Sequence, residues 1–235
     1  MTFTAHIRNE ADPIWRKSFE HPFIKGIANG TLPLRAFKYY VMQDSYYLSH
    51  FARVQSLAAA KSHDPETTNR LAIHAQGSYE AEMALHQEFS GRLGITLDDQ
   101  RAFKPSPTAY AYTSHLYRAA YTGQIGDAIA ALLPCYWLYH EIGELLQGCS
   151  PAEPIYQDWI HTYGGDDFKE LTYEQINRLD RIAEQSTQTQ RDQMKEHFLI
   201  SSQYELNFWE MAYTLEKWND LNDSQNTLDT SEKHG

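Results

Sequence analysis

Cysteine is nearly absent from this chain of 235 residues, which carries only Cys135 and Cys149. Two are too few for a disulfide framework, and they point to a reducing, cytoplasmic setting. No run of about eighteen apolar residues occurs, so no membrane-spanning helix is expected. Basic residues are scarce as well: 20 Lys and Arg stand against 31 Asp and Glu, giving a formal charge of −11. Nucleic acid rewards clustered Lys and Arg, so it is a poor partner for this surface. The opening Met1 to Glu10 has no apolar core behind a basic leader and does not read as a secretory signal. Period-2 alternation, internal repeats and Gly/Ser linkers are all missing, which leaves no argument for strands or for a second domain.

What the sequence does contain is helix-length pieces cut by turn signals. Asp64-Pro65, Ser106-Pro107 and Ser150-Pro151 each put an N-cap residue before a proline suited to the first helical position. Ser150 to Glu153 and Thr172 to Gln175 match the capping box. Apolar residues between these marks recur at three and four. The expected helices are 4–20, 33–61, 65–91, 107–122, 124–146, 152–163, 173–185 and 188–216, with a short helical turn near 22–29. The fold class is therefore all-α, as one domain over 1–218. A polar tail over 219–235 has little to bury and is expected to fray.

Three reactive side chains fall on stripes that should face inward. Positions three, four and seven from Asp44 hold Phe37, Tyr40, Val41, Tyr47, Leu48 and Phe51. Cys135 has Ala128, Ala131, Leu132, Leu138, Tyr139 and Ile142 in those positions. Glu205 has Phe198, Ser201, Ser202, Phe208, Trp209 and Ala212. A buried unpaired carboxylate costs several kcal/mol or takes up a proton, so its placement needs a reason. Taken singly, each acid fits a buried ion pair or a hydrogen bond to a neighbouring helix, and a lone cysteine fits core filling. Gathered into one pocket with tyrosines, they would suit a flat heteroaromatic ring. A carboxylate accepts from an exocyclic amine, a carboxylic acid donates to a ring nitrogen, and tyrosines offer stacking faces. A thiol is a nucleophile once deprotonated.

An ordered set of motifs then carries a family resemblance. Gln43-Asp44-Ser-Tyr46-Tyr47-Leu48 follows Gly30-Thr31-Leu32-Pro33 and Phe37-Lys-Tyr-Tyr40. Leu133-Pro134-Cys135-Tyr136-Trp137-Leu138-Tyr139 comes next, then Ile155 to Ile160 with Tyr163-Gly164, and finally Glu205-Leu-Asn-Phe208-Trp209-Glu210-Met211-Ala212. His21-Pro22-Phe23 adds a weaker match. Over about residues 6 to 218 the chain resembles the TenA family, the thiaminase II or aminopyrimidine aminohydrolase enzymes. The resemblance implies a haem-oxygenase-like helical bundle without haem, no cofactor or metal, and a homotetramer. It implies hydrolysis of 4-amino-5-aminomethyl-2-methylpyrimidine to the hydroxymethylpyrimidine with release of ammonia, cleavage of thiamin as a second activity, and a role in thiamin salvage. Carried across, Cys135 is the nucleophile, Glu205 the proton-handling acid, and Tyr47 sits beside the thiol. Asp44 holds the aminopyrimidine edge, Tyr112, Tyr139 and Tyr163 line the ring, and Phe208 forms a packing wall.

Two other readings compete. A helical metal-dependent oxygenase would need ligands, and Glu82 with His86 and His140 with Glu144 stand four apart. Yet no Glu-x-x-His pair occurs, and His140-Glu141-Ile-Gly-Glu144 is not the zinc-protease motif. A solvated or interface face is the expectation for those residues. A non-catalytic thiamin- or pyrimidine-binding protein would have no use for a nucleophilic thiol, so Cys135 separates it from an enzyme. Cys149 lies at a helix junction and has no expected role.

Overall fold

The computed structural model describes residues 1–219, apart from the side chains at 81, 82 and 84–88. All but one residue of the expected tail, 220–235, lies outside the described residues. The chain runs α1 (Phe3–Phe19), α2 (Pro22–Asn29), α3 (Leu34–Lys61), α4 (Pro65–Arg92), α5 (Leu97–Ala102), α6 (Pro107–Thr122), α7 (Ile125–Leu146), α8 (Pro154–Gly164), α9 (Asp166–Glu184) and α10 (Gln188–Thr214). No strand occurs among the described residues.

Local chemistry explains most of the boundaries. Asp64 and Ser106 cap α4 and α6 by accepting from Thr67 N at 2.9 Å and Ala109 N at 3.0 Å. Gly30 closes α2 at φ 70°, a left-handed turn that an L side chain would strain. Three expectations are corrected. The Ser150 capping box does not form, because α8 starts at Pro154 with Glu153 as its N-cap. Thr172 is not a cap either: it lies inside α9, where its hydroxyl donates to the Phe168 carbonyl at 2.9 Å. Asp166 and Asp167 occupy the first turn of α9 and complement its N-terminal dipole, which carries the helix back past Thr172. Short α5 was not expected. It has no buried residue and hence no apolar stripe, and a Thr96–Asp99 capping box defines it.

Helix α7 is the centre of the bundle, packed by α10, α8, α9, α3 and α6. Its run from Gly126 to Pro134 is wholly buried. Pro134 removes one rung of its ladder immediately before Cys135. Tyr136 on the next position is fixed by Gln55, whose amide donates to its hydroxyl, and by His74 Nδ1 at 2.9 Å. Beyond α10, Leu215 turns left-handed at φ 57°. Glu216 then reaches the start of α6, accepting from Thr108 N at 2.9 Å and Thr108 Oγ1 at 3.1 Å. Trp218 Nε1 donates to the Pro105 carbonyl at 2.8 Å.

Candidate active site

Four long helices deliver the reactive groups. Helix α3 carries Asp44 and Tyr47, α6 Tyr112, α7 Cys135 and Tyr139, and α10 Glu205 and Phe208, with Tyr163 at the end of α8. Asp44 is only 4% exposed and Glu205 only 2%, and among the described residues no Lys or Arg pairs with either. A buried salt bridge therefore does not account for them, whereas a hydrogen bond to a neighbouring helix is present for Glu205, from Tyr112 of α6. Cys135 and Tyr163 lie deep in the bundle yet keep some accessible surface, as side chains do when they line an internal space.

The tyrosines connect these groups. Tyr112 donates its hydroxyl to Glu205 Oε1 at 2.7 Å. The Tyr47 ring lies 4.8 Å from that of Tyr112 and 5.8 Å from that of Phe208, while its buried hydroxyl has no hydrogen-bond partner among the described residues. Tyr139 packs 4.8 Å from Tyr163 and 4.9 Å from Trp209. Tyr40 stands one turn before Asp44, accepts from Trp159 Nε1 at 3.3 Å and makes a long 3.5 Å contact to the Tyr139 hydroxyl.

Burial sets the protonation states. It pushes Glu205 up to about 8, against the Tyr112 hydrogen bond that favours the carboxylate, and the charge of Asp44 adds to the rise. Burial pushes Asp44 up to about 7, while hydrogen bonding from Tyr40 pulls the other way. Burial raises the Cys135 thiol well above its ordinary range, the charges of Glu205 and Asp44 raise it further, and Tyr47 acts in the opposite direction. Tyr163 is influenced by Asp44 and Cys135, and Tyr139 by Glu205 and Asp44. Asp44, Glu205, Tyr47, Tyr112 and Tyr163 thus gather around Cys135, and Tyr139 and Phe208 join the cluster through Tyr163 and Tyr47. The site holds a neutral thiol and two carboxyl groups able to exchange protons near neutral pH.

A family model described as TENA/THI-4/PQQC matches residues 8–215. The chain belongs to that family.

Among TenA-family relatives, the aminopyrimidine aminohydrolase of Bacillus subtilis (strain 168) is 58% identical over 220 residues, covering 94% of this chain and 93% of its own. The solved TenA homologue from P. horikoshii OT3 superposes with a TM-score of 0.82 at 32% identity, covering 91% of this chain and 99% of that one. A Shewanella denitrificans domain of unknown function with a heme oxygenase-like fold matches with a TM-score of 0.71 at 15% identity, covering 97% and 94%. The architecture is accordingly the haem-oxygenase-like bundle.

Tyr40 and Trp159 are the members of the cluster that sequence reasoning missed. On an apolar stripe their rings look like core, and only the spacing of Tyr40 from Asp44 hints otherwise. One rival feature is corrected. His140 is buried rather than solvated, because the early start of α9 places Tyr173 beside it, at a ring distance of 6.0 Å. Its Nε2 is 3.6 Å from Glu144, which also pairs with Lys169 at 3.1 Å. The Glu82 and His86 side chains lie outside the described residues. Among the described residues, no group of three or more His, Cys, Asp or Glu could hold a metal ion.

Proposed function

We propose that this protein is an aminopyrimidine aminohydrolase of thiamin salvage with thiaminase II activity. In this reading it converts 4-amino-5-aminomethyl-2-methylpyrimidine to the hydroxymethyl compound and ammonia through Cys135. The protein is a hydrolase, as its 58% identity to a curated aminohydrolase supports. The observation that carries the reading is the placement of Cys135 with the buried acids Asp44 and Glu205, which no Lys or Arg among the described residues neutralises.

The proposed chemistry follows from those groups. Asp44 accepts from the exocyclic amine, and the rings of Tyr112, Tyr139, Tyr163 and Phe208 enclose the pyrimidine. Glu205, protonated at neutral pH, donates to a ring nitrogen as the sulfur of Cys135 adds to a ring carbon. The thiol passes its proton to the aminomethyl nitrogen of the substrate before the carbon–sulfur bond forms, so that this nitrogen can leave as neutral ammonia, and Tyr47 supports the attacking sulfur by hydrogen bonding. Electrons of the dearomatised ring then expel ammonia from the methylene. Water adds to the exocyclic methylene, the ring nitrogen returns its proton to Glu205, and the sulfur leaves as aromaticity is restored and regains the proton that the water gave up. Thiamin enters the same sequence with its thiazole as the leaving group.

The assignment of Cys135 is tested by Cys135→Ala. The variant is expected to fold and bind the pyrimidine while ammonia release falls to background. Turnover at the wild-type rate would remove the covalent route, and a wild-type protein that binds without turnover would favour the ligand-binding alternative. A cytoplasmic homotetramer completes the proposal. No described helix is long and apolar enough to cross a membrane. Exposed aromatics such as Tyr79, Tyr121 and Tyr173 suit burial between copies.

A further inference from the structure

Tyr163 reaches the site from the last turn of α8, and what fixes its depth is a glycine on a different helix. A Cβ added at Gly143 of α7 would lie 2.5 Å from the Tyr163 carbonyl oxygen, and closer still to Tyr163 C and Gly164 N. The contact is reciprocal. A Cβ at Gly164 would come within 3.0 Å of the Gly143 oxygen and of Gln147 Cγ. One turn after Gly143, the Gln147 amide donates to the Gly164 carbonyl and closes the seam. Backbone thus rests directly on backbone, with no side chain to yield. From this seat the Tyr163 ring packs 4.8 Å from Tyr139, 4.8 Å from Trp159 and 5.1 Å from Phe168. Its hydroxyl is under the influence of Tyr40, Asp44 and Cys135.

We infer that Gly143, locked by Gln147, is a positioning residue that sets how deeply Tyr163 enters the ring pocket and so how tightly the pyrimidine is held beside Cys135. The kinetic part of this inference rests on the aminohydrolase reading. Its geometric part does not. Helix α7 supplies its own control in Gly126, where an added Cβ would meet Met194 Sδ at 2.5 Å. There the obstacles are side chains, the Met194 thioether and Ile182 Cγ2 at 3.0 Å, far along α7 from Tyr163, so Gly126→Ala can strain packing without moving the pocket.

The test compares Gly143→Ala, Gln147→Ala and Gly126→Ala by steady-state ammonia release from aminomethylpyrimidine. Displacing a lining residue by about 1 Å can cost about 100-fold in rate. Gly143→Ala is therefore expected to raise KM about tenfold or more with a smaller fall in kcat, since Tyr163 holds the ground state as well as the transition state. Gln147→Ala loosens the same segment without a clash and should raise KM about two- to threefold. It keeps the inference open to test if the alanine at 143 prevents folding. Gly126→Ala should leave KM unchanged, whatever it does to the melting temperature. In a Tyr163→Ala background, adding Gly143→Ala should alter kcat/KM by less than about twofold, because its target is gone. Wild-type KM in both seam variants, or a full additive loss in that background, overturns the inference.

If the wild-type protein releases no ammonia, the aminohydrolase reading fails and the seam is judged on thiol access alone. Alkylation of Cys135 by iodoacetamide, resolved from Cys149 by peptide mass, should then change several-fold in Gly143→Ala and not in Gly126→Ala. Equal rates in all three proteins would reject the seam.

Discussion

At the scale of single residues, the two carboxyl groups set the pH behaviour. Asp44 must be ionised to accept from the amine, and Glu205 must be protonated to donate. With their pKa values near 7 and near 8, kcat/KM should follow a narrow bell with limbs at about those values. A pH–rate profile with a broad plateau from pH 6 to 9 would contradict these roles. Tyr112→Phe deletes the hydrogen bond that lowers Glu205, so the alkaline limb should move to higher pH. Glu205 also has a cost in stability. Its folded pKa lies above the unfolded value, so the folded state binds more protons between about pH 4.5 and 8, and wild-type stability falls as pH rises through that window. Glu205→Gln removes this dependence. Its unfolding free energy from urea titration should exceed that of wild type by a margin that grows up to about pH 8, on the order of a few kcal/mol, while kcat falls by about 100-fold or more. The acids and the thiol were legible in the sequence because a polar residue on an apolar stripe stands out. Tyr40, Trp159 and Gly143 were not: rings on a stripe resemble core, and a glycine's value appears only when the opposing backbone is known.

At the scale of elements, caps distinguish what was read correctly from what was not. Asp64 and Ser106 precede prolines that begin α4 and α6, and both signals agree. Ser150 and Thr172 satisfy the same pattern, yet α8 starts later and α9 earlier. Pro154 offers a second first-position proline, and Asp166-Asp167 offers a better-charged first turn. A capping box is a local statement, and neighbouring signals can outvote it. Ser106→Ala should cost about 1 kcal/mol, read as a drop of about 2–4 °C in melting temperature. Because α6 carries Tyr112, the alkaline limb of activity should shift in that variant as well.

At the scale of the whole molecule, the all-α class followed from period and length, and the bundle architecture followed from the family resemblance. The mutual placement of helices was beyond composition and spacing, since it depends on contacts such as that of α7 with α10. Sedimentation should give a particle four times the 27.2 kDa chain. A monomer would leave the exposed aromatics without the proposed burial. The anchorage of Glu216 on Thr108 and of Trp218 on Pro105 has a practical bearing on where the polypeptide can be shortened. It buckles the end of the helix bearing Glu205 to the beginning of the one bearing Tyr112. Trimming after Trp218 should preserve turnover, whereas a stop codon after Thr214 should unfasten donor from acceptor and blunt activity before the melting curve moves.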